Sequence, residues 1–140
     1  MCSSDLKGHW IGTLDYRDYG NDGRTVLPTT LDADGASLSW TYDDGAGKNV
    51  RSIETWTFDP TEQTLTIRDG KSVSRAHISE LRKSLDGGLT MVIDGSVTEN
   101  GKKGFSRMIL TLDKGTLRLT QLSRTPRAPF LMRHSYELRR

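Results

Sequence analysis

The chain has 140 residues and a mass of 15.7 kDa, with 34% hydrophobic residues and a mean hydropathy of −0.58. That length suits one domain with a real core. The low hydrophobic content excludes a large two-sided core and fits an antiparallel sheet with one apolar and one wetted face.

No run approaches the length needed to cross a bilayer, so no membrane span is expected. The net charge of +2 hides an uneven split, −6 over residues 1–70 and +8 over residues 71–140. Such asymmetry can mark a basic tail for nucleic acid or anionic lipid. Here the basic residues are spaced through strand-like segments. No nucleic-acid partner is expected, and the plainer reading is attraction between opposite ends of a closed sheet.

Residues 1–6, Met1-Cys2-Ser3-Ser4-Asp5-Leu6, admit two readings. One is a processed lipoprotein terminus with Cys2 lipidated. The other is read-through of a sequencing adapter, since GTG TGC TCT TCC GAT CT encodes these residues. The second is preferred, and such scars are set aside from fold reasoning. Residues 7–140 are then a single barrel domain. Cys2 is the sole cysteine, so no disulfide or thiol chemistry is argued. On this reading a signal peptide would have been lost upstream.

The first strand-like segment is Gly8 to Arg17, where Trp10, Leu14 and Tyr16 alternate with Thr13, Asp15 and Arg17, and Ile11 breaks the pattern. Tyr19-Gly20-Asn21-Asp22-Gly23 is a turn of residues that tolerate positive φ. Thr25 to Asp32 reads as a second strand, in which Pro28 marks an edge, a bulge or the start of pairing. Ser37 to Tyr42 alternates cleanly, with Leu38, Trp40 and Tyr42 on one face. Asp43 to Lys48 is a loop. Val50 to Phe58 follows, with Trp56 and Phe58 opposing Ile53 and Thr55. Thr64 to Arg68 is a short strand closed by Asp69-Gly70.

The span Val73 to Leu85 is ambiguous. Ile78, Leu81 and Leu85 have helical spacing before Gly87-Gly88, whereas Ser72-Val73-Ser74 begins as a strand would. A strand to about Glu80 and then a loop is the preferred reading. Leu89 to Ile93 is strand-like, and Asp94-Gly95 either bulges or turns it. Asn100 to Gly104 is a hairpin loop. Phe105 to Leu112 and Thr116 to Ser123 are strands joined by Asp113-Lys114-Gly115. After a stiff Thr125-to-Pro129 connection, Phe130 to Leu138 places Phe130, Met132, His134, Tyr136 and Leu138 on one face, with Arg133 and Arg139 opposite.

This spacing predicts an all-β domain, a single antiparallel up-and-down barrel of about eight to ten strands with at most one short helix. A meander of many twisted strands removes its edges by closing on itself.

The G-x-W of Gly8 and Trp10 on the first strand, followed by a meander, resembles the calycin group of lipocalins and fatty-acid-binding proteins. The resemblance implies that Trp10 plugs one barrel end and that a basic residue near the last strand, Arg139 or Arg133, packs across it. The wider phrasing, from D-Y-R-D-Y through L-P-T-T-L to F-L-M-R-H-S-Y-E-L-R-R, is similar to an uncharacterised bacterial family of secreted or lipoprotein-type barrels. That likeness implies a secreted or periplasmic location. The lid and portal helices of fatty-acid-binding proteins, and the disulfide and C-terminal helix of many lipocalins, have no counterpart here.

The chemistry-bearing residues are few. His134 faces aromatic neighbours, and haem-binding barrels such as nitrobindin use a histidine ligand. One histidine without a signature is more simply a hydrogen-bonded part of the wall, so no cofactor is expected. His9, His77 and His134 lie far apart in sequence and lack thiolate partners, which argues against structural zinc. Asp15, Asp18, Asp43 and Asp44 sit beside Gly and Asn as turn formers. No G-x-S-x-G, Walker or G-x-G-x-x-G pattern is present.

The aromatic set is the positive signal: Trp10, Tyr16, Trp40, Tyr42, Trp56, Phe105, Phe130 and Tyr136 recur along several strands. Barrels of about eight strands are filled by side chains or hold one small ligand. The expected role is binding of a small hydrophobic or aromatic molecule, lined by Trp10, Tyr16, Trp40, Trp56 and Tyr136, with Arg107, His134 or Tyr136 as polar contacts. The alternatives are an isomerase- or cyclase-type enzyme acting in the cavity, and an interaction module with a filled barrel using Arg118, Arg124, Arg127 and Arg133.

Overall fold

Alternating apolar and polar residues, punctuated by Gly, Asp and Asn, give ten strands in the computed structural model: β1 (Gly8–Arg17), β2 (Arg24–Asp34), β3 (Ser37–Asp43), β4 (Asn49–Asp59), β5 (Thr64–Asp69), β6 (Ser72–Lys83), β7 (Leu89–Glu99), β8 (Lys102–Asp113), β9 (Thr116–Arg124) and β10 (Leu131–Arg139). Residues 7–17, 24–34, 37–43, 49–70, 72–85, 88–99, 102–124 and 131–140 are described. The leader over residues 1–6, Asp18, Asp44, Arg127, Phe130 and several expected turns lie outside them.

Each strand pairs antiparallel with its sequence neighbours, and β1 pairs with β10, so the meander closes into an up-and-down barrel. There is no helix among the described residues. The ambiguous span is strand through Lys83, longer than expected. A register shift between Ile78 and Glu80 bulges it and pairs Ile78 with Ile93 and Leu81 with Met91; Ile78 is buried, whereas Leu81 and, in the turn beyond, Leu85 are exposed. The helix-like spacing there carries no buried face. Asp94-Gly95 neither bulges nor turns β7, because Asp94 and Gly95 stay in register with Arg107 and Ser106. Pro28 sits opposite Thr13 of β1, one residue beyond the β2–β3 ladder that begins at Thr29, where its missing N–H breaks no bond to β3.

Strand direction puts the start of β1, the end of β10 and the β2–β3, β4–β5, β6–β7 and β8–β9 connections at one end of the barrel. The other five connections lie at the far end. The two halves of the interior differ. Toward the first end, Trp10, Leu31, Leu38, Trp56, Leu65, Ile78, Leu89, Met91, Ile93, Leu110, Leu117 and Leu138 are buried in one cluster. Trp10 is wholly buried and plugs that end.

The basic residue across Trp10 is Arg140, which corrects the expectation of Arg139 or Arg133. Ile11 pairs with Arg139 and both face outward, while the following Arg140 turns inward. Its N–H donates to the Gly115 carbonyl at 3.0 Å, and its guanidinium lies 4.4 Å from the Trp10 ring centroid. At Gly12 a Cβ would sit 1.9 Å from the Glu137 carbonyl oxygen, so only glycine lets β1 and β10 approach this closely.

Candidate functional site

The inward face of β4 runs Ser52, Glu54, Trp56, Phe58, while Arg51, Ile53, Thr55 and Thr57 are exposed. Glu54 is therefore an acid on an otherwise core-forming face. β3 contributes Trp40 and Tyr42, and β10 contributes His134 and Tyr136. Trp40 and Trp56 belong to the packed cluster, Tyr136 packs against it, and Glu54, Tyr42 and His134 share these inward faces toward the far end. The Trp40 indole donates from Nε1 to Glu54 Oε1 at 2.7 Å. The Trp40 and Tyr136 rings lie 4.4 Å apart at 34°, spanning the barrel between β3 and β10. Tyr136 in turn meets His134 edge-on at 5.7 Å.

The electrostatics of this cluster follow from burial. Desolvation raises the Glu54 carboxyl above its ordinary value, against the lowering effect of the Trp40 and Trp56 indoles, and Asp69 adds repulsion. The Trp56 Nε1 is buried and makes no hydrogen bond, yet its N–H dipole lies close enough to favour the carboxylate. Burial, Glu54 and Tyr42 together push the Tyr136 hydroxyl up, so it stays protonated at neutral pH. Burial alone lowers His134, which leaves a neutral imidazole. Glu54 has no cationic partner among the described residues.

Around this group the upper lumen is lined by short or polar residues. Ser106, Gln121, Ser123, Thr29 and Gly95 share the inward faces of their strands with Met108, Leu119, Leu31 and Ile93. Thr29 Oγ1 satisfies itself on the Leu27 carbonyl at 3.1 Å. Buried Leu14 and Leu27, paired across β1 and β2 beside Tyr136, are apolar members of this upper zone, whose hydroxyls, amide and carboxyl set it apart from the all-hydrocarbon zone below.

The structure brings together Trp40, Trp56, His134 and Tyr136 of the sequence-expected site. Tyr16 joins their face, opposite His134 in the β1–β10 register and partly buried. Trp10 lies deeper, in the plug. Arg107 stands apart on the outer wall, because odd-numbered positions of β8 face outward. Its Nε donates to Asp94 Oδ1 at 2.7 Å, and that bond raises the guanidinium. Phe105 is also on the outer wall, beneath the Arg124 guanidinium at 4.9 Å. His9 pairs with Asp32 on the outer surface, and His77 is exposed near Asp94.

Glu54 and Arg140 were missed by sequence reading. The signal for Glu54 was available: in the Ile53/Thr55 versus Trp56/Phe58 alternation, Glu54 shares the aromatic face. A separate cleft of about 800 Å³ lies at the plug end, lined by Arg82, Lys83, Leu89, Thr111, Lys114 and Arg118 among others. No family model matches the chain, and no curated protein sequence matches it significantly.

Proposed function

We propose that this barrel binds a small molecule with a hydrophobic or aromatic body in the upper lumen, between the Trp40–Tyr136 pair and the far end. The observation that carries this reading is the two-zoned interior. A barrel built only to be stable gains most from apolar side chains throughout, whereas here a half-buried acid, two tyrosines and a histidine occupy the lumen above a complete apolar plug. A few convergent polar groups above an apolar floor are what orients a small ligand. The native setting that suits such a carrier is extracytoplasmic.

Titration with the neutral probe N-phenyl-1-naphthylamine tests the reading. Saturable one-to-one binding is expected, with energy transfer from Trp40 and Trp56. Gln121→Trp, which fills the lumen opposite His134 in the β9–β10 register, is expected to abolish it. Unsaturable binding, or binding indifferent to Gln121→Trp, refutes the reading.

An interaction role for the basic flank is the second reading, favoured by the plug-end cleft with its four cations against Asp113. Of the arginines expected to serve it, Arg118 lines the cleft and also reaches Glu137 at 3.5 Å, while Arg124 covers Phe105.

A further inference from the structure

We infer that the ligand's polar end is an organic cation, a quaternary ammonium or protonated amine on an apolar or aromatic body, received by Glu54. This rests on the lumen being the binding site, and it specifies what that lumen selects.

Indole N–H groups are donors only. The one hydrogen bond to the carboxylate comes from Trp40, and the Trp56 N–H faces it without closing a second. Two donors can stabilise a carboxylate partly, but they carry no positive charge. The remaining neighbours do not either. Leu38 and Asp69 are the strand partners of Glu54, and Asp69 repels it. The Tyr136 and Tyr42 hydroxyls are neutral at ordinary pH, and His134 is held neutral by its own burial.

Buried charges in proteins are paired, hydrogen-bonded or neutralised, because removal from water is costly. Glu54 is hydrogen-bonded by Trp40 but has no cation beside it among the described residues. A cation entering from the far end would supply the missing charge.

The shape around the carboxylate suits a soft cation better than a metal ion. Trp40, Trp56 and Tyr136 bring aromatic surface to the same place, and aromatic faces attract alkylated ammonium groups that hydrate weakly. Asp69 is the one carboxylate acting on Glu54, and no group of three His, Asp or Glu side chains suited to a metal occurs among the described residues. An anionic ligand would meet Glu54 with no compensating arginine among the described residues, Arg107 pointing outward. Neutral hydrophobes would leave the Glu54 charge uncompensated. The geometry therefore discriminates by charge.

The test is a matched pair. Benzyltrimethylammonium and neopentylbenzene have the same outline, with a charged nitrogen in one and a carbon in the other. Each is used to displace N-phenyl-1-naphthylamine from the full chain. The cation is expected to bind at least about tenfold more tightly, and Glu54→Gln to erase that preference. A far-ultraviolet circular dichroism spectrum matching that of the wild type reports that the variant is folded. The cation preference of the wild-type protein is also expected to decline on acidification, beginning above the ordinary glutamate range. Equal binding of the two compounds, or a preference that survives both Glu54→Gln and acid, overturns the inference while the lumen reading stands. Failure of the neutral probe itself to bind removes both.

Discussion

Truncating the plug tests the fold most directly. Trp10 is wholly buried, and a tryptophan side chain buries about 150–250 Å². At about 25 cal/mol per Å² this corresponds to roughly 4–6 kcal/mol, an upper figure because the unfolded chain already hides part of that area. Alanine keeps a fraction of the burial but leaves a cavity, and large-to-small aromatic replacements cost about 3–5 kcal/mol. That range is the expectation for Trp10→Ala.

Arg140 adds a separable contribution. Its guanidinium 4.4 Å from the ring is worth about 0.5–1 kcal/mol at an exposed position. A double-mutant cycle of Trp10→Ala with Arg140→Ala should return a coupling of that size. Urea unfolding followed by far-ultraviolet circular dichroism measures both, with the denaturant slope showing that the transition stays two-state. A loss below about 1 kcal/mol for Trp10→Ala would mean that the plug is not part of the core. Zero coupling would mean that Arg140 does not hold the ring.

Gly12→Ala forces a methyl group into the Glu137 carbonyl, an obstacle of backbone that cannot rotate away. A cost of at least about 3 kcal/mol, the upper end for overpacking, is expected by calorimetry; an unchanged Tm contradicts the close approach of β1 and β10. Glu54→Gln is expected to stabilise the protein at neutral and alkaline pH. The folded state raises the Glu54 pKa, so the contribution of this group to stability is full below the ordinary value of 4.5 and is lost as pH rises through the raised one. The Tm of the variant should exceed that of the wild type at about pH 8 and converge with it by about pH 4. A variant that melts lower at about pH 8 would show that Glu54 supports the fold instead of straining it.

The barrel was legible because its signal is redundant. Trp10 and Leu14, Leu38 and Trp40, and Leu117 and Leu119 each alternate at period two between Gly- and Asp-rich turns, and a hairpin-linked meander can satisfy its edges by closing. Residues 73–85 were harder, since a bulge shifts the parity of β6 and makes Ile78, Leu81 and Leu85 mimic a helix. Parity also explains the site. Counting from Trp56 places Glu54 in the lumen, and counting from Leu110 places Arg107 and Phe105 outside it. Attention to aromatic rings and histidines passed over the acid between them. Arg140 follows from the same count: Tyr136, Leu138 and Arg140 share one parity, whereas Arg139 and Arg133, the residues expected over Trp10, fall on the other.

The β1–β10 ladder joins opposite ends of the chain, from Ile11 with Arg139 to Tyr16 with His134, whereas the other nine ladders join neighbours. Nearly all of the sheet can form as a chain of local hairpins, and one step, the longest loop to close, remains. Until it closes, the chain is an open curved sheet with two unpaired edges, each able to recruit a second molecule. Closure is then a race between intramolecular sealing and association, so protein concentration during refolding should decide how much chain reaches the barrel.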